Sequence, residues 1–181
     1  MSVYRLTIPG HSTRREYAVY VVVARRPGTP EFFVYVGKTG DNREGCNPVI
    51  SRAGNHFSYN KIHSQVRNKI VEPHLYDYEY FYVTFNTYDV GEQNRKSNVD
   101  VINEMERATN LDLTRRLTAT ARIRHLNEYK GVGYLKVAER EVRRSLMTPE
   151  RLGLITGLVD SVAEYIASFD PTSVRSRELR T

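Results

Sequence analysis

The sequence has very little of what builds disulfide scaffolds and zinc sites. Cys46 is its only cysteine. That excludes an internal disulfide framework and a cysteine-rich zinc centre, and it fits a reducing, cytoplasmic setting. Long apolar runs are also missing. The longest, Tyr17 to Ala24, is far shorter than the roughly 20 residues a membrane-spanning helix needs, so no membrane partner is expected. The first residues contain no basic segment leading into an apolar one, so no secretion signal is expected either. Internal repeats and low-complexity tracts are absent.

What is there looks like a folded domain. Of 181 residues, 40% are hydrophobic and 27% are charged, a balance that disordered chains do not have. The 27 Lys and Arg outnumber the 21 Asp and Glu, for a net charge of +6. A basic chain favours polyanionic partners, because neutralising phosphates releases counterions. The acids are numerous enough that the surface should be mixed, with local basic patches.

Residues 17–24 are β-branched and aromatic and predict a buried strand. Turn-forming residues follow, and residues 32–36 predict a second strand joined to the first as an antiparallel hairpin. Residues 37–42 close it with a polar loop. Asn47 and Pro48 suit a helix N-cap and first position, and apolar residues mostly four apart predict a helix running to about Ile70. Arg52, His56, Tyr59 and His63 would form a polar stripe on it. Residues 78–85 predict a third strand. A capping-box-like Ser97-Asn98-Val99-Asp100 should open a second helix, and residues 113–127 look helical and arginine-rich. Thr148-Pro149-Glu150 opens a last helix, which Asp170-Pro171 should end before a polar tail. This order implies an α+β fold, a small antiparallel sheet with helices packed on it.

Several chemistries can be set aside. Gly37-Lys38-Thr39 invites a P-loop reading, but the glycine required five residues before Gly37 is Phe32, in a strand. His63, His74 and His125 lack zinc spacing, and no nucleophile-elbow motif supports a serine triad. A different set suits phosphate chemistry. Hydrolysing a phosphodiester requires an activated water and stabilisation of charge on the phosphoryl oxygens and leaving alkoxide. A tyrosine phenol beside an ammonium or metal can act as a general base, so Tyr20 with Lys38 is expected to serve if their strands are neighbours. Arg52 offers a planar fork of donors for phosphate, and His56, one turn on, faces the same way. His56 would orient phosphate, relay a proton, or hold the phenol of Tyr20 or Tyr35. Taken singly, each residue has an ordinary reading: strand aromatics, a turn lysine, a solvated helix stripe.

Taken in order, Ala18-Val19-Tyr20, Tyr35-Val36-Gly37-Lys38, Arg52-x-x-x-His56 and a later helical Glu106 resemble the GIY-YIG nuclease family. Ala18 stands where the family name calls for glycine, and the tyrosine spacing is long. The resemblance covers roughly residues 16–128. It implies a three-stranded antiparallel sheet flanked by helices over residues 1–128. Residues 129–181 would then be a helical extension packed on that domain, for dimerisation or DNA contact. It implies hydrolysis of DNA with one divalent ion, Mg²⁺ or Mn²⁺. The catalytic residues would be Tyr20, Tyr35, Lys38, Arg52, His56 and Glu106. Glu106 would hold the metal, with Glu104 as its substitute. Gly37, Asn127, Arg115 and Arg116 would support the site or contact phosphate. The expected partner is double-stranded DNA, with a homodimer as an attractive arrangement for cutting both strands. Two alternatives remain open at this point: a nucleic-acid-binding protein on the same scaffold without catalysis, and an RNA-directed nuclease or toxin.

Overall fold

The computed structural model describes residues 3–40, 47–88, 92–117, 122–129 and 137–169. Cys46, the far end of the 37–42 loop, Asp170-Pro171 and the polar tail lie outside the described residues. The strands are β1 (Glu16–Arg25), β2 (Phe32–Thr39), β3 (Asp77–Thr87) and β4 (Ile123–His125), and the helices are α1 (Val49–Phe57), α2 (Glu92–Leu117), α3 (Val137–Ser145) and α4 (Pro149–Ala167).

The sheet order is β3-β1-β2-β4. β1 pairs antiparallel with both β2 and β3, the hairpin and third strand the sequence predicts. Its central position and two covered faces explain why residues 17–24 are apolar without alternation. The sheet is not the expected three-stranded antiparallel one. β4 adds a fourth strand, parallel to β2, and makes the sheet mixed. The stretch 113–127 therefore divides: α2 ends at Leu117, and residues 123–125 pair with Phe32, Phe33 and Val34. Ladder bonds to the open edge of β2, among them Leu126 N–H to the Val34 carbonyl at 2.8 Å, override the local helical preference.

Two further expectations change. α1 stops at Phe57 rather than near Ile70. Ser58 turns extended and its hydroxyl donates to the Asn55 carbonyl, while Asn60 Oδ1 accepts from the backbone N–H groups of Ile62 and His63. These local side-chain bonds compete with the helical ladder and win. Val66 and Ile70 still reach the core, but from the two ends of a short 3-10 turn (Arg67–Lys69), and Tyr59 and His63 leave the α1 stripe. Pro48, not Asn47, is the N-cap. α2 starts at Glu92, ahead of the expected cap at Ser97, because no glycine or proline interrupts residues 92–117. Asn98 instead accepts a bond from Asn86 of β3.

One face of the sheet packs on α2 and α4. Val19, Val21, Val23, Val34 and Val36 meet Ile102, Met105 and Leu113 of α2 and Val159 and Val162 of α4. Thr148 caps α4 as expected, and α4 belongs to this same core. The other face carries Tyr20, Val22, Ala24, Phe33 and Tyr35 beneath α1 and the segment that follows it. Among the described residues no helix is long and apolar enough to cross a membrane.

Candidate active site

The register of the central hairpin sorts the candidate residues. Tyr20 lies opposite Gly37, and Val19 opposite Lys38. Cross-strand partners project to the same face, so Tyr20 and Gly37 share one face and Lys38 projects to the other.

On the first face, the Tyr20 phenol passes directly over Gly37. A Cβ at that glycine would lie 2.4 Å from Tyr20 Cζ, so any side chain there would displace the ring. The phenol reaches His56 Nε2 at 2.6 Å, with the two rings edge-on and their centroids 5.6 Å apart. Tyr35 packs edge-on to the same imidazole at 4.9 Å. Burial, reinforced by Tyr35, pushes the Tyr20 phenol well above its ordinary range, and the opposing pull of the Arg52 guanidinium is weaker. Tyr20 is therefore a neutral phenol that donates to Nε2, which puts the imidazole proton on Nδ1. Burial, then Arg52 and Lys69, lowers His56 to about 4, so the ring is neutral. The expected pairing of Tyr20 with Lys38 as a phenolate base is thus corrected. The sheet separates the two side chains, and burial favours the protonated phenol.

On the second face, the Lys38 ammonium donates to Glu106 Oε2 at 2.6 Å. Glu106 is half-buried on α2. Glu104 is not an equivalent substitute for it: its side chain is buried and held by the Arg107 guanidinium through both carboxylate oxygens. The two groups occupy the same end of the β1–β2 hairpin on opposite sides of the sheet. β4 pairs with β2 only as far as Val34, and Asn127 extends the pairing to Val36. Among the described residues no strand pairs with the outer edge of β2 from Gly37 onward.

No family model, curated protein or solved structure matches the chain.

Asn127 holds β2 in place. Its Oδ1 accepts from Val36 N–H at 3.0 Å and its Nδ2 donates to the Val36 carbonyl at 2.6 Å, fixing the strand between Tyr35 and Gly37. Asn110 of α2 in turn donates to the Asn127 carbonyl at 2.8 Å. Arg115 and Arg116 lie elsewhere, in the last turn of α2. Both bind Asp112, and Arg116 also binds Asp160 of α4.

Two residues at the site escaped the sequence reading. Lys69 places its ammonium 5.6 Å from the Tyr35 ring centroid, donates to the Leu126 carbonyl at 3.0 Å and helps to depress His56. Tyr80 lies 6.1 Å from the Tyr20 ring, and burial raises its phenol well above the usual range. The signal for Tyr80 was the alternation Tyr78, Tyr80, Tyr82, which aligns three phenols on the Tyr20 face of β3. Lys69 had a weaker one, since it belongs to a basic stretch without acids between Gly45 and Val71.

Proposed function

We propose that the chain is a metal-dependent endonuclease that hydrolyses DNA phosphodiester bonds with a GIY-YIG-type site. The observation that carries this reading is the Tyr20–His56 hydrogen bond, with Arg52 drawn to the same phenol. A purely structural buried tyrosine does not call for both a histidine and a guanidinium at its hydroxyl.

Half-buried Arg52 suits a phosphate oxygen, and Lys69 adds a second positive charge. Those two cations help to keep His56 from accepting a proton. A bound phosphodiester anion offsets them, so the basicity of His56 rises when substrate arrives. The imidazole then takes the phenol proton while the Tyr20 oxygen takes one from the attacking water. The water oxygen forms its bond to phosphorus as the bond to the leaving alkoxide breaks, and solvent protonates that alkoxide. Glu106 is the residue that would hold Mg²⁺ or Mn²⁺. Its carboxylate is a hard oxygen donor that already accepts a cation, Lys38, at 2.6 Å. Bound there, the ion would supply Lewis-acid charge stabilisation for phosphodiester hydrolysis.

A second reading, a nucleic-acid-binding protein without catalysis, is favoured by one observation: Tyr20 and His56 are fully buried. One experiment separates the two. Plasmid and single-stranded DNA, with RNA alongside, are incubated with wild type and Arg52→Ala in Mg²⁺, Mn²⁺ or EDTA. The endonuclease reading expects metal-dependent cutting that falls at least about a hundredfold in the variant, the usual effect of losing one preorganised donor. Tight binding with no cutting in either metal establishes the second reading.

A further inference from the structure

The segment after α1 keeps two large apolar side chains in water. Tyr59 is 87% exposed and Ile62 is 73% exposed. The segment is braced from within. Asn60 Oδ1 accepts from Ile62 N–H at 2.8 Å, Asn68 Nδ2 donates to the Lys61 carbonyl at 3.0 Å, and Gln65 Nε2 donates to the Ile62 carbonyl at 2.6 Å. Val66 and Ile70 anchor its inner side in the cluster that contains Tyr20 and Tyr35. Apolar groups held outward on a braced loop are available to a partner.

The charges around them name the partner. Between Gly45 and Val71 the sequence has no Asp or Glu, while Lys61, Arg67 and Lys69 all fall in this segment. The Arg67 guanidinium lies 3.8 Å from the centroid of the Tyr59 ring. One ring face is thus backed by a cation and the other is open. An aromatic with an open face, set in positive potential, suits a nucleobase, because every base has a π-face and a phosphate beside it. The segment also begins and ends at the site: it leaves α1 just after His56 and closes at Lys69, beside Tyr35.

We propose that Tyr59, backed by Arg67, is a stacking platform for an unpaired base of the DNA strand that is cut. The preferred substrate then has an unpaired or unstacked nucleotide next to the scissile phosphate. The cutting half of this statement rests on the endonuclease reading; the stacking half does not.

The test is a fluorescence-anisotropy titration of the full chain in EDTA. Three labelled DNAs are compared: a single strand, a perfect duplex, and that duplex with one unpaired base. Wild type should bind the first and third more tightly than the second. Tyr59→Ala should lose about tenfold in affinity for those two, the usual effect of removing one stacked aromatic, while Tyr59→Phe stays close to wild type. Because Tyr59 is exposed, folding is not at risk, and an unchanged circular dichroism spectrum checks that. Wild-type affinity of Tyr59→Ala for the single strand overturns the platform. So does unchanged DNA binding with lost binding to vesicles of anionic lipid, which would make the surface a membrane contact. If wild type cuts no substrate with Mg²⁺ or Mn²⁺ but Tyr59→Ala still weakens binding, the endonuclease reading falls and the platform stands. If wild type cuts and Tyr59→Ala binds and cuts normally, the reverse holds.

Discussion

The two faces of the sheet are made from the same strands and do different work. Along β1, Val19, Val21 and Val23 point into an aliphatic core closed by two long helices, α2 and α4. The alternate residues Tyr20, Val22 and Ala24 point the other way, under the nine-residue α1 and a loop of short turns. The first face is filled mainly with side chains that have nothing to titrate, and its charged pair, Lys38 with Glu106, sits only at the end of the hairpin. The second mixes phenols, an imidazole, a guanidinium and an ammonium. The contrast teaches that the side-chain period of two lets one strand serve stability and chemistry at once.

The largest effect should come from the aliphatic face. Ile102 of α2 is fully buried among the valines of β1 and β2. Ile102→Ala should destabilise the fold by about 2–5 kcal/mol, measured by urea denaturation, through lost burial and a cavity. Under the endonuclease reading proposed above, cutting normalised to the folded fraction should stay at the wild-type level. A variant that remains folded yet no longer cuts would break the division between the faces.

How much of this was legible in the sequence follows from which forces were local. The central strand and the hairpin could be read because residues 17–24 carry their burial in their composition. So could Thr148 at the start of α4, a cap defined by neighbouring residues. β4 could not be read, since three residues in an arginine-rich stretch become a strand only because β2 offers them an edge. The end of α1 was hidden because Val66 and Ile70 keep helical spacing while Ser58 and Asn60 take the backbone out of the helix. At the site, motif order picked out Tyr20, Tyr35, Arg52 and His56, which share one face, but it gave no sign of the ion pair between Lys38 and Glu106. What motif order could not give was the register that sets Lys38 on the far side of the sheet from Tyr20. Side-chain direction in a strand changes with every residue, and the pairing that fixes it is a tertiary fact.

Gly37 offers a sharper probe of the second face alone. In Gly37→Ala the new Cβ would overlap Cζ and the hydroxyl of Tyr20, which belong to a rigid, fully buried ring rather than a pliable chain end. The ring must move, so overpacking should cost about 1–3 kcal/mol and pull the phenol away from His56. Tyr20→Val removes the obstruction. In a double-mutant cycle by urea denaturation, Gly37→Ala should therefore cost clearly less in the Tyr20→Val background. Equal costs in the two backgrounds would mean that the clash is relieved elsewhere, and that Gly37 does not set the position of Tyr20.

The smallest effect, and the most specific to the second face, is the pH response of His56. Folding lowers this imidazole from the ordinary 6.5 to about 4, through burial first and then Arg52 and Lys69. Between those values the unfolded chain binds a proton that the native chain refuses. The contribution to stability is therefore complete above 6.5 and is lost as the pH falls towards 4. Between pH 7 and pH 5.5 the loss should be about 1 kcal/mol, a window that avoids most carboxylate titration. His56→Gln keeps a polar side chain of similar reach that does not titrate, so its urea midpoint should fall less than that of wild type over the same interval. The aliphatic face supplies the control, because Ile102→Ala should lower the midpoint at both pH values and leave the difference between them unchanged. If His56→Gln and wild type respond alike, the imidazole is not held neutral against solvent, and the proton relay from Tyr20 loses its starting state.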